Sequence, residues 1–388
     1  MLTHSIPFSP EHEPDFFTRF PVAPAVFQLR GTDEGAEPYV SKTADLRRRL
    51  RRLLAPPESQ SKRLNLRERV ALIEYELTGS DFESSLLLYR LLRKEFPESY
   101  QKRLRLRPAP LIRFNLENEY PRAYVTTRLG KLAGPSLYYG PFRSRVAAEK
   151  FLNDSLDLFK MRRCTFDLNP DPSFPGCVYS EMKMCLAPCF KGCTDDEYKA
   201  EVQRVKKYFD SGGQSLVAEL EKERERLSVE LDFEGAAALH TKVGKIKGIL
   251  SGCDEIYGRL DRLAAVVMQP AAEPKSVMMF RLWQGTICGP LGFSPGAEND
   301  GESMESRVGA VLEQLTPEGI NSPVRFSEEL AMLKRWYFRT HKTGEICFAD
   351  NQGNLPMRRI VRAVGRVASG GKEENQPGPV QIEAPPED

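Results

Sequence analysis

The sequence predicts an α+β chain built as several units, and three observations carry that expectation. Short strand-like runs alternate with amphipathic helices over roughly the first 160 residues, a long stretch after Thr194 has a purely helical period, and from Leu260 the period returns to that of strands. The 388 residues, 40% of them apolar, suffice for two or three separate cores.

Residues 1 to about 19 are polar and Pro-containing and are expected to form a loose lead-in. AVFQLRG (25 to 31), a Gly/Asp/Glu-rich turn and EPYVSK (37 to 42) read as a β-hairpin. A helix is expected from near Thr43, with Leu46, Leu50, Leu53 and Leu54 forming one apolar stripe, and Pro56 and Pro57 stop it. VALIEYEL (70 to 77) reads as a strand. The following helix, 80 to 96, takes Ser80 or Asp81 as N-cap, with Glu83 placed for a capping box. Short strands are expected over 110 to 142 and a helix over 145 to 160. After Thr194 come one helix and then a helical hairpin, 216 to 250, that bends near Asp232. RLAAVVMQP, SVMMFRLWQG and TICGPLGFSP read as a meander, VGAVLEQL and EELAMLKRWYFRTH as helices, and the Gly/Pro/Glu-rich end from Ser369 as a disordered tail.

The net charge of +2 hides a basic first third and an acidic tail. No apolar run reaches the roughly 20 residues of a spanning helix, and the N-terminus lacks a signal-peptide pattern, so a cytoplasmic protein away from membranes is expected. Four histidines make imidazole-rich metal chemistry a poor fit.

Between Lys42 and Arg67 lie Arg47, Arg48, Arg49, Arg51, Arg52, Lys62 and Arg63, and a second basic run spans 90 to 107. Arginines clustered on a short helix suit phosphate oxygens, which makes a nucleic-acid backbone the expected ligand of Arg47, Arg48, Arg49, Arg51 and Arg52. A solvated, acid-balanced helix face is the alternative. Cys164, Cys177, Cys185 and Cys189 are spaced C-x12-C-x7-C-x3-C in a Pro/Gly-rich stretch, with Cys193 close behind. Four such thiolates can converge on Zn²⁺ or on an iron–sulfur cluster, or can simply be small buried side chains. Cys253, Cys288 and Cys347 are isolated and read as core residues. In the hairpin, Phe233, Ala236, Ala237 and Leu239 make a compact apolar patch near the bend. It suits either close pairing with a hairpin of another chain or packing on its own domain.

A hairpin with AVF on one strand and YVSK on the next, followed by KxxxLxxRLxxLL on a helix, resembles the GIY-YIG nuclease domain at the N-terminus of UvrC. EYPRAYVTTRLGKLAGPSLYYGPFRS (119 to 144) resembles the segment after that nuclease, CLAPCF (185 to 190) its cysteine block, and 216 to 250 its UVR motif. The resemblance implies a GIY-YIG domain over 20–105, connecting strands and the cysteine cluster over 106–195, and a helical UVR region over 196–253. A UvrC-like mixed domain would fill 255–367, with a tail over 368–388.

The same resemblance implies a nucleotide-excision-repair protein that binds DNA and a UvrB-type partner through the hairpin, with a [4Fe-4S] cluster on the four cysteines. It puts Tyr39, Lys42 and Arg49 around the scissile phosphate. Two positions depart from the pattern. Phe27 replaces the first-strand tyrosine, and a gap-free alignment puts Leu88 where a glutamate would bind Mg²⁺, so the nuclease is expected to be degenerate. Glu83 and Glu95 are the carboxylates that could stand in for the missing ligand. An active Cho-like single-incision endonuclease and an interaction module with no DNA role are the alternatives. A second, RNase H-type nuclease and a helix-hairpin-helix pair, also implied by the resemblance, are expected to find no room in this chain.

Overall fold

The computed structural model describes residues 2–11, 14–33, 35–56, 64–297, 301–315 and 322–370. Lys62 and Arg63 of the basic run and most of the expected tail lie outside them. The first elements are β1 (His4–Pro7), β2 (Ala25–Arg30), β3 (Tyr39–Thr43), α1 (Leu46–Leu54), β4 (Leu72–Leu77), α2 (Asp81–Glu95) and α3 (Tyr100–Leu104). There follow β5 (Leu111–Asn115), β6 (Arg122–Thr126), β7 (Leu137–Gly140), α4 (Arg145–Leu156) and α5 (Val178–Glu181). Three helices come next, α6 (Asp195–Asp210), α7 (Gln214–Val229) and α8 (Phe233–Ser251). The chain continues with β8 (Gly258–Arg259), β9 (Ala264–Pro270), β10 (Val277–Trp283), β11 (Thr286–Phe293) and α9 (Met304–Gln314). It closes with α10 (Pro323–Tyr337), β12 (Glu345–Phe348) and α11 (Met357–Ala368).

The strands form three antiparallel sheets, ordered β1-β4-β2-β3, β6-β5-β7-β8 and β11-β10-β9-β12. In the first, the α1 stripe of Leu46, Leu50, Leu53 and Leu54 is wholly buried against Ala25, Phe27 and Leu29. Asp45 rather than Thr43 begins that helix, accepting from the Arg48 amide at 2.9 Å, because Thr43 is still paired with Ala25. The lead-in departs from the loose segment expected. His4–Pro7 adds a fourth strand on β4, and Phe8, Phe16, Phe17 and Phe20 enter the core. Aromatics spread among prolines carry no helical or strand period, but together they cover a large apolar area.

The third sheet is covered on both sides. Ala265, Val267, Phe280 and Leu282 face α10 and α2, while Val266, Met268, Val277 and Met279 face α9 and α11. Two-sided burial explains why β9 reads as one apolar run. The strand β12 and the helix α11 complete this unit and had no sequence expectation. Ser80 caps α2, accepting from the Glu83 amide at 3.1 Å. The apolar side of α2 (Phe82, Leu86, Tyr89) does not enter the first core; it joins Phe280, Trp336 and Leu330 of the C-terminal unit. The joint is close at Gly79, where an added Cβ would lie 2.1 Å from the Pro270 carbonyl oxygen. The second sheet packs one side against α4 and α6 to α8 in a further core, while its Leu111 and Tyr138 join the core of α2 and the C-terminal unit. No helix among the described residues is long and apolar enough to cross a membrane.

Candidate functional site

The edge strand β3 separates the residues expected around a phosphate into two groups. Cross-strand partners share a face, so Tyr39 (opposite Leu29) and Phe27 lie on the α1 side, whereas Lys42 (opposite Val26) points to the α2 side. On the first side the Tyr39 hydroxyl accepts from Arg49 Nη2 at 2.7 Å, and the Phe27 ring lies 6.0 Å from that of Tyr39. Phe27 is 0% exposed, and Arg49 Nε is buried with no hydrogen-bond partner.

On the other side, Lys42 and Leu88 line one cleft of about 370 Å³ between β3, α2 and the end of α10. Leu88 therefore shares this cleft with Lys42 and offers it a hydrocarbon surface. Lys42 Nζ donates to Asp81 Oδ1 at 2.5 Å and to Ser85 Oγ at 2.8 Å, and Arg339 Nη1 reaches the other Asp81 oxygen at 2.7 Å. Burial pushes the Asp81 carboxyl up, but the hydrogen bond and charge of Lys42, with Arg339 behind them, outweigh it and hold the group below the usual carboxylate range. Sequence reasoning missed Asp81, Arg335 and Arg339 as members of this cleft. The basic run RWYFRTH was the only local hint for the two arginines.

Neither stand-in carboxylate faces the cleft. Glu83 is 4% exposed and turns back toward the turn before α2, accepting from the Gly79 amide at 2.9 Å. Glu95 is held by Arg30 at 3.0 Å. Burial, partly offset by the Gly79 hydrogen bond, pushes Glu83 up to about 7. A folded-state value above the unfolded one means that stability is greatest below about pH 4.5 and is lost as pH rises toward 7. Glu83→Gln keeps the acceptor without the charge. It is expected to stabilise the protein by about 2 kcal/mol at pH 8 and by almost nothing at pH 4, measured by denaturant unfolding at both pH values.

The five arginines of α1 divide by role. Arg47 is a structural anchor, donating to the Phe20 carbonyl at 2.6 Å and the Thr18 carbonyl at 3.1 Å, and Arg49 is committed to Tyr39. Arg48, Arg51 and Arg52 are exposed on one helix face, at i, i+3 and i+4. The 3.8 Å contact of Arg48 with Asp45 leaves its side chain 83% exposed.

Cys164, Cys177, Cys185 and Cys189 line a single small cavity of about 20 Å³ with Arg162, Phe174 and Tyr179 among its walls. All four are free thiols. Arg162 Nη1 donates to Cys164 Sγ and the Ala187 amide to Cys185 Sγ, each at 3.3 Å. Burial, with the other three cysteines adding to it, pushes the Cys185 thiol up to about 11. Among the described residues no three His, Cys, Asp or Glu side chains are grouped as ligands of one metal ion. Cys193 does not line this cavity.

In the helical hairpin α7 and α8 meet at Glu230 to Asp232, and Asp232 caps α8 by accepting from the Gly235 amide at 2.9 Å. Phe233 is 65% exposed at the tip beside exposed Val229 and Leu231. Ala237 is exposed, Ala236 is half-buried, and Leu239 packs on the core of its own domain with Val243 and Ile246.

Residues 109–208 match the family described as UvrC/Cho excinuclease, middle domain. The chain is 25% identical over 269 residues to the UvrABC system protein C of Rickettsia conorii, covering 69% of this chain and 41% of that protein. It is 31% identical over 241 residues to that of Bdellovibrio bacteriovorus, 61% of this chain and 37% of the relative. With that of Methanothermobacter thermautotrophicus it shares 25% identity over 272 residues, 70% and 45% of the two chains. The matched region is less than half the length of each of these relatives. No solved structure matches.

Proposed function

We propose, from a chain that is UvrC-like over about two thirds of its length, that it acts in nucleotide excision repair in the cytoplasm, binding DNA and a UvrB-type partner without cutting DNA at its N-terminal, GIY-YIG-like domain. The observation that carries this reading is the Lys42 cleft. Leu88, which the resemblance puts at the metal-ligand position, lines it with hydrocarbon, and its carboxylate, Asp81, is spent on Lys42 and Arg339. Glu83 and Glu95 are engaged elsewhere. A phosphodiester could be gripped there, but charge stabilisation by Mg²⁺, worth several kcal/mol, would have no protein oxygen dedicated to it.

The exposed tip around Phe233 supports a partner-binding role for the hairpin, since an aromatic ring left in water gains most when another chain covers it. For the cysteines we read the shared cavity, with two N–H donors aimed at sulfur, as a [4Fe-4S] site. Cys164, Cys177, Cys185 and Cys189 would hold the cluster, which would tie the segment 164 to 193 together. Zinc on the same thiolates is the alternative.

The experiment is a nicking and binding assay on damaged duplex with Mg²⁺ or Mn²⁺, with and without UvrB. Wild type is expected to bind and leave the duplex intact; efficient nicking that Arg49→Ala abolishes would instead identify an active Cho-like endonuclease. Replacing Arg48, Arg51 and Arg52 together by Ala is expected to weaken duplex binding and to flatten its log–log salt dependence by about 2.7, at about 0.9 per lost phosphate contact. An unchanged slope removes this helix face from the DNA interface.

A further inference from the structure

The cleft beside Leu88 has an ordered chemistry that the degenerate nuclease reading does not use. Its rim carries Lys42, Arg103, Arg335 and Arg339 against one carboxylate, Asp81. Arg103 is paired with Glu37 at 2.8 Å, and Lys42 and Arg339 share Asp81, while Arg335 is exposed and makes no ion pair with a described residue. Between these cations, Leu88, Leu104 and Leu106 give half-buried aliphatic surface. Segments far apart in sequence build it. β3 and α2 supply one wall and the end of α10, locked to α2 through Phe82 and Trp336, supplies the other.

We propose that this cleft binds one unpaired nucleotide of a DNA strand, with its phosphate on Lys42, Arg335 and Arg339, its base on the Leu88 surface, and Asp81 filling the phosphate seat when no strand is bound. The inference rests on the reading that the chain binds DNA, and deepens it by naming the DNA form and a second wall. Charge complementarity selects an anion, since Arg103 is balanced by Glu37 while Lys42, Arg335 and Arg339 meet the single carboxylate of Asp81. Size suits a single nucleotide inside the cleft, because about 370 Å³ lies at the small end of sites for single small ligands. The aliphatic floor selects a nucleotide over bare phosphate, because a base face gains from apolar contact that a phosphate does not. Asp81 reaches Lys42 and Arg339 at 2.5 and 2.7 Å, with one oxygen to each cation, which is the arrangement two phosphate oxygens would take over. Leu88 thus becomes a base-contact residue.

Fluorescence anisotropy of the full chain with labelled oligodeoxythymidylate and with blunt duplex tests this. Arg335→Ala with Arg339→Ala is expected to weaken strand binding at least about tenfold at low salt and to flatten its salt slope by about 1.4, at about 0.7 per single-strand phosphate contact. Duplex binding should change little. Asp81→Asn removes the internal competitor and is expected to tighten strand binding, a gain that damage to the fold would not give. Leu88→Gln should weaken strand binding without altering the salt slope. Strand affinity untouched by both the arginine pair and Asp81→Asn overturns the inference, as does inorganic phosphate binding as tightly as the strand. A wild type that binds neither strand nor duplex overturns the DNA reading itself, whereas strand binding lost only with Arg48, Arg51 and Arg52 leaves that reading standing and removes the cleft.

Discussion

Leu88→Glu combined with Phe27→Tyr is expected to give metal-dependent nicking of supercoiled plasmid at least about tenfold above wild type, since restoring a small part of a several-kcal/mol metal contribution suffices for that factor. Leu88 lines the same cleft as Lys42, so a carboxylate there would add an oxygen ligand beside the phosphate seat. The position is half-buried and opens on the cleft, so the new charge stays hydrated and the fold should tolerate it. Phe27 is different, because its ring is wholly buried and a hydroxyl placed there needs a partner. The candidate on that side of the sheet is Arg49, whose Nε is buried without one. A thermal melt accompanies the assay. If the double variant is folded and inert, the gap-free placement of Leu88 at the ligand position is wrong.

Anaerobically purified wild type is expected to be brown, and Cys185→Ser or Cys189→Ser to lose the broad visible absorption together with the bound iron. These two cysteines border the cavity from the tight turn around Pro188, with the Ala187 amide donating to Cys185 Sγ, so a serine there removes one corner of the site and misplaces its neighbour. Metal binding in a segment with so little regular structure is coupled to its folding, so both variants should also lower the melting temperature and expose 164 to 193 to protease. A colourless wild type with stoichiometric zinc would replace the cluster by zinc and leave the four ligands standing. A wild type with neither metal would make these cysteines ordinary packing side chains.

What the sequence by itself determined is whatever is local in period or chemistry. The leucine stripe of α1, the Ser80 cap with the Glu83 amide on it, the β9–β11 meander and the hairpin around Asp232 each follow from spacing and capping within one segment, and the structure has them at or within a few residues of the expected bounds. The four cysteines were likewise visible as a group, and they share one cavity. Tertiary structure decided which polar groups remain available. Arg47 and Arg48 are neighbours in one basic run, yet Arg47 is consumed by the carbonyls of Phe20 and Thr18 while Arg48 stays in water. Glu83 reads as a possible metal ligand, yet the helix turns it into a buried corner where its carboxyl is held neutral to about pH 7. Arg339, more than half the chain away from Lys42, arrives at the same carboxylate because α2 buries its apolar face on α10 rather than on the first sheet. Such pairings arise from the direction in which whole elements pack, and burial of apolar faces sets that direction across distances that no local pattern of residues records.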